Sequence, residues 1–119
     1  MTITETIHGT PPSKSNCYKI VTINGKSTLA KSKALTGYEK NFFIQCRNRG
    51  KGIDQYFQVF GKVFYPNQRA DLDNSLKVIL DCLQKCGVIK NDNKCISLQF
   101  EKYLDKINPR IELEIYVPE

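Results

Sequence analysis

Residues 69–92 constrain the chain most, because one segment there must start, run and stop as a helix. Leu72, Leu76, Ile79, Leu80, Leu83 and Cys86 recur at three- and four-residue spacing, which lines one side of an α-helix. Asp71 suits the N-cap, where a carboxylate accepts from unpaired first-turn amides. Gly87 stands where a left-handed residue ends a helix. Asp73, Lys77 and Asp81 follow at i, i+4 and i+8 and share the polar side, and Asp92 comes just beyond the stop.

Taken one at a time, these acids have ordinary explanations. An aspartate at a helix start caps it and complements the dipole. An Asp–Lys pair one turn apart is usually a surface ion pair worth a few tenths of a kcal/mol, about 0.3.

As a string, R-x-D-L-D-N-x-x-K followed by D-x-L-x-x-x-G-V-I-x-x-D resembles the RusA-type Holliday junction resolvases, small dimeric endonucleases of bacteria and their phages. The early P-P-S-K-S-N segment, Pro11 to Asn16, is similar to that family's N-terminal loop. The resemblance implies a divalent metal held by Asp71, Asp73 and Asp92, with Lys77 required beside them; Mg²⁺ is the expected ion, and whether Mn²⁺ substitutes is left open by the sequence. It also implies a homodimer acting on branched DNA. Where the family often carries an acidic pair, this chain has Asn91 before Asp92.

The chemistry suits those residues. Phosphodiester hydrolysis requires an activated water, a stabilised leaving oxygen and neutralised phosphate charge, and carboxylate-held Mg²⁺ supplies all three. From Asp73 to Cys86 the helix rises about 20 Å. Residues 87–92 span about that much when fully extended. Asp92 therefore returns to the helix start only along a nearly straight antiparallel path, or else a partner subunit closes the site. Return within one chain is the expectation. Asp81 and Asp54 read as surface charges.

The remaining segments predict an α+β domain over residues 1–119, with a mixed, largely antiparallel sheet and two main helices. Thr4–Gly9 reads as a short strand. Tyr18–Leu29 reads as a hairpin about Asn24-Gly25, both of which accept positive φ. Thr36-Gly37-Tyr38-Glu39 has capping-box spacing and predicts a helix to about Arg47, with Tyr38 and Phe42 inward and Arg47–Gly52 as a basic, flexible exit. Ile53–Tyr65 is the longest strand, and Gly61 within it marks a bulge or a close contact. Cys95–Tyr103 and Ile111–Val117 complete the sheet, the latter alternating apolar and polar residues.

The net charge is +6, unevenly placed. Residues 1–51 hold nine Lys/Arg against two Asp/Glu, and residues 52–119 hold nine against ten. Lys14, Asn16, Lys19, Lys26, Arg47, Arg49 and Arg69 are the candidate phosphate contacts. Five cysteines without a C-x-x-C pair, beside a single histidine, argue against zinc and for reduced packing residues. No run of about twenty apolar residues spans a membrane, and the N-terminal residues lack a secretory pattern, so the cytoplasm is expected. Two other readings use the same residues: a phage nuclease of broader branched-DNA taste, and a DNA-binding module that kept the fold without catalysis. A basic adaptor for acidic proteins is the reading that uses them least.

Overall fold

Alternation of inward and outward side chains builds the main sheet. In β1 (Thr2–His8) the inward positions are Ile3, Glu5 and Ile7; in β4 (Phe57–Tyr65) every second residue is buried; in β6 (Arg110–Tyr116) Ile111, Leu113 and Ile115 turn inward. The computed structural model describes residues 1–119, the side chain of Lys14 apart. The sheet runs β1-β6-β4-β5, with β5 spanning Cys95–Leu104. β6 pairs antiparallel with both β1 and β4, whereas β4 and β5 are parallel.

Two helices cover one face. α1 (Lys33–Gln45) contributes Leu35, Tyr38 and Phe42 to the core, and α2 (Leu72–Lys85) contributes Ser75, Val78, Ile79, Cys82 and Leu83. Between β4 and β5, α2 forms a βαβ crossover, which is why those strands run the same way. Carboxyl ends of parallel strands are where such units hold ligands.

β2 (Tyr18–Ile23) and β3 (Lys26–Lys31) pair only with each other. Their turn is the one the Asn-Gly pair predicts, with φ of 53° at Asn24 and 77° at Gly25. Ile20 and Leu29 face each other across this ladder, 74% and 70% exposed.

Four expectations change. α1 begins at Lys33, not Thr36, because Ser32 is the cap: its Oγ accepts from the Leu35 amide at 3.1 Å. Thr36 lies within the helix, bonding back to Ser32, and Glu39 pairs with Lys31 and Lys85 instead of a first-turn amide. β4 starts at Phe57, and Ile53 is left in one isolated bridge with Ile89. The buried side of α2 is rotated toward Ser75, Val78 and Cys82, since α1 covers it from the side and Tyr38 approaches Cys82. Leu72, Leu76 and Leu80 are only half-buried, and Cys82 is as buried as Cys86. Finally, the 47–52 segment is no loose exit. The Glu5 carboxylate, 3% exposed, accepts from the amides of Arg47 and Asn48 at 3.0 and 2.8 Å, and Gly50 and Gly52 donate to Cys86 and Gly87.

Candidate active site

Tyr65 closes β4, and its chain then crosses Pro66–Ala70 to Asp71 at the N-cap of α2. The Asp71 carboxylate makes no cap hydrogen bond, so its oxygens remain available. Asp73, one residue into the exposed side of the first turn, adds a second carboxylate at the positive end of the helix dipole. Both are exposed at the carboxyl end of β4. Beneath them the hydroxyl of Tyr65 is hydrogen-bonded to Ser75 Oγ in the core. Burial raises the Tyr65 phenol above its usual range, and the charges of Asp71 and Asp73 push it the same way.

Lys77 turns away from Asp73. Its Nζ lies 3.2 Å from Asp81 and 3.8 Å from Asp92. The hydrogen bond and charge of Asp81, then the charge of Asp92, raise its pKa and keep it an ammonium. Asp81 is therefore the nearest partner of Lys77, although its sequence position suggested only a surface charge. The i+4 spacing was the available signal.

Val88 and Ile89 are buried and Lys90 donates to Ile53 O, so the chain after Gly87 is drawn back along α2. The Asp92 amide donates to Gln84 Oε1 at 3.1 Å. Asp92 thus returns as far as Lys77, one turn short of Asp73, which is about 6 Å along the axis. Among the described residues no group of three His, Cys, Asp or Glu side chains could hold one metal ion. The expected closure around a cation within one chain is not seen. Asn91 has its own work: its side chain accepts from the Asn93 amide and caps the short 3-10 turn that carries Asp92.

A cleft of about 490 Å³ runs beside these residues, between the root of the hairpin and both helices. Tyr18, Asp73, Asn74, Lys77 and Asp81 line one part of it, and Lys31, Glu39 and Lys85 another. Asn74 belongs to the D-L-D-N string, whereas Tyr18 carries no sequence signal for this location. Asp71, Asp73 and Asp92 offer the hard oxygen donors that Mg²⁺ prefers, so the donor chemistry fits that ion.

The basic candidates divide into two groups. Lys19 and Lys26 are exposed on the hairpin and Arg69 on the loop before Asp71. Arg47 and Arg49 lie by Cys86 and Gly87, at the opposite end of α2 from Asp71, roughly 20 Å away. Arg49 is further committed: its guanidinium donates to the carbonyls of Phe43, Ile44 and Cys46 and lies over the Phe43 ring. It serves as the C-terminal cap of α1, a role that the sequence reading as a phosphate contact did not foresee. The main-chain carbonyl of Asn16 accepts from Ser32 Oγ, which fixes the loop while leaving the Asn16 residue exposed. The side chain of Lys14 lies outside the described residues.

Exposed carboxylates at the end of a βαβ unit, a lysine one turn on and basic residues around them are the kinds of group that phosphodiester hydrolysis uses. Comparison with known proteins agrees. The profile of the family described as Endodeoxyribonuclease RusA matches residues 20–116. A crossover junction endodeoxyribonuclease RusA of Aquifex aeolicus (strain VF5) is 36% identical over 99 residues, covering 81% of this chain and 76% of that protein. The chain belongs to the RusA endodeoxyribonuclease family. No helix is long and apolar enough to cross a membrane.

Proposed function

We propose that this protein resolves four-way DNA junctions by paired, Mg²⁺-dependent hydrolytic nicks, residues 1–119 forming the one catalytic domain. The observation that carries the reading is the pair of free carboxylates, Asp71 and Asp73, at the carboxyl end of β4, with Lys77 one turn further along α2 and Asp92, on the 3-10 turn that follows the helix, beside that lysine. Asp71 and Asp73 would hold the ion, and Asp92, which stands beside Lys77 one turn away, would have to close on them to serve as the third ligand. An ion bound there would supply an activated water and stabilisation of the leaving oxygen. Lys77 meets the scissile phosphate or orients the attacking water. Mn²⁺ is the candidate substitute for Mg²⁺, since carboxylate oxygens suit both ions.

The protein works as a homodimer, since two nicks in opposed strands require two equivalent sites. The hairpin supports this. Tyr18, Ile20 and Leu29 share one exposed apolar face, and an isolated two-stranded ribbon gains stability only by packing. A partner seated on that face abuts the cleft at Tyr18 and completes the surroundings of the acids. Lys19 and Lys26 stand on the other face of the ribbon, free for phosphates along with Arg69 and Arg47. The five cysteines are all free thiols, in keeping with a reducing bacterial cytoplasm.

The test is cleavage of a synthetic four-way junction, a flap and a linear duplex, with and without Mg²⁺. Junction-selective cutting that requires the metal, and an Asp73→Asn variant that binds the junction uncut, are the expected results. Equal cutting of flap and junction would support the broader phage nuclease instead. No cutting with any divalent metal would leave a DNA-binding module.

A further inference from the structure

On β5, two residues before the strand ends, Lys102 faces the helices beside Val63 and Tyr65 of β4. Its ammonium donates to the carbonyl of Ala70 at 2.5 Å and to that of Gln68 at 3.1 Å. It also lies 5.5 Å from the centroid of the Tyr65 ring. These contacts fall on the loop that delivers Asp71. Among the described residues, no main-chain hydrogen bond outside the regular elements belongs to residues 66–70. The loop's own tie is local, from the Arg69 amide to Asn67 Oδ1. Asp71, the residue in the cap position, does not tie itself to α2 through its side chain.

The peptide unit joining Ala70 to Asp71 is planar, so fixing the Ala70 oxygen fixes the direction in which the Asp71 backbone leaves it. A carboxylate that must be free for a cation cannot also serve as the cap that orders its own loop. Something else must hold that backbone, and among the described residues the only ammonium on it comes from β5. We propose that Lys102 is a positioning residue for the metal site: by gripping the Gln68 and Ala70 carbonyls it sets Asp71 for the ion. The proposal rests on the assignment of Asp71 as a ligand. Lys102 spends its donors on carbonyls rather than presenting them to DNA, which separates it from Lys19 and Lys26. Outer groups that orient metal ligands typically matter tenfold to a hundredfold in metal affinity.

The experiment measures Mn²⁺ binding to the full chain without DNA, by electron paramagnetic resonance of the free ion, for wild type, Lys102→Met, Lys102→Arg, Asp71→Asn and Asp73→Asn. Junction binding in EDTA and thermal unfolding are followed in parallel. The expected result for Lys102→Met is a loss of Mn²⁺ affinity of about tenfold or more, with junction binding in EDTA unchanged. Lys102→Arg, which keeps the donors, restores most of the affinity. Where Lys102→Met does not fold, Lys102→Gln, with a shorter neutral donor, takes its place with the same expectation. Unchanged Mn²⁺ affinity in Lys102→Met would overturn the proposal, and so would a loss of junction binding in EDTA, which marks a direct phosphate contact. The aspartate variants keep the two failures apart. If they lose Mn²⁺ and Lys102→Met does not, the lysine's role alone is wrong; if they bind Mn²⁺ as wild type does, the ligand assignment is wrong and the lysine's role goes with it.

Discussion

The ring of Phe100 on β5 covers Gly61 on β4 so closely that a Cβ at Gly61 would lie 2.3 Å from the ring. The glycine in this strand marks a close contact, while the register shift in this pair falls between Phe57 and Gln58. Gly61→Ala should therefore cost about 2 kcal/mol through overpacking. In a Phe100→Leu background the same change should cost less than half as much. Urea unfolding of the two single variants and the double variant measures the coupling.

Glu39 gives a pH dependence. Burial alone would raise its pKa, but the hydrogen bonds and charges of Lys85 and Lys31 outweigh burial and hold it below its usual 4.5. A carboxylate depressed in the folded state stabilises above its unfolded pKa, and that contribution disappears as pH falls through the folded value. The two lysines are partly exposed, which limits the pair to about 1 kcal/mol. Chemical unfolding of wild type and Glu39→Gln should differ by that amount at pH 6 and converge as the pH falls through the depressed folded-state value.

The two basic groups should separate in salt titrations of junction binding. Lys19→Ala with Lys26→Ala should lower the slope of log K against log salt by about 2, near 0.9 for each lost phosphate contact. Arg49→Met should leave the slope unchanged and lower the unfolding temperature instead, because its guanidinium is engaged with three α1 carbonyls.

Ile20→Lys with Leu29→Lys places charge on both sides of the hairpin's exposed apolar face. Sedimentation should find a dimer for the unaltered chain and a monomer for the double variant, and junction cleavage should fall at least tenfold, about 1.4 kcal/mol. A dimer that survives the double change would remove the hairpin from the interface.

Thiol chemistry should follow burial. Burial pushes Cys46 and Cys82 up to about 12, and the Glu5 carboxylate beside Cys46 adds to that shift. At pH 8 a disulfide reagent should label half-buried Cys95 first, and the four buried thiols only on unfolding.

Much of the fold was legible because it follows from period and turn chemistry. The spacing from Leu72 to Cys86 gave α2, the Asn24-Gly25 pair gave the hairpin, and the alternation after Ile111 gave β6. The start of α1 was not legible: Thr36 and Glu39 imitate a capping box, and only the path of β3 makes Ser32 the cap. Strand direction carries no period, so the parallel pairing of β4 with β5 had to come from the crossover. Glu5 occupies an inward strand position whose partners lie forty residues away. The acids could be picked out as residues, but their spacing in three dimensions depends on how residues 87–92 lie along α2, which local pattern does not encode. Lys102 gave no signal at all, since its partners are main-chain carbonyls.

β1 and β6 clasp along seven residue pairs, and Met1 and Val117 exchange main-chain hydrogen bonds beyond them. Tyr116 lies beside Gln58, near the start of β4, whereas Asp71 follows the end of that strand. Anything fused before Met1 or after Glu119 therefore emerges from one spot on the molecule, about 25 Å or more from the acids by strand length alone. An affinity tag or fluorescent reporter at either end should leave the junction-facing side unobstructed.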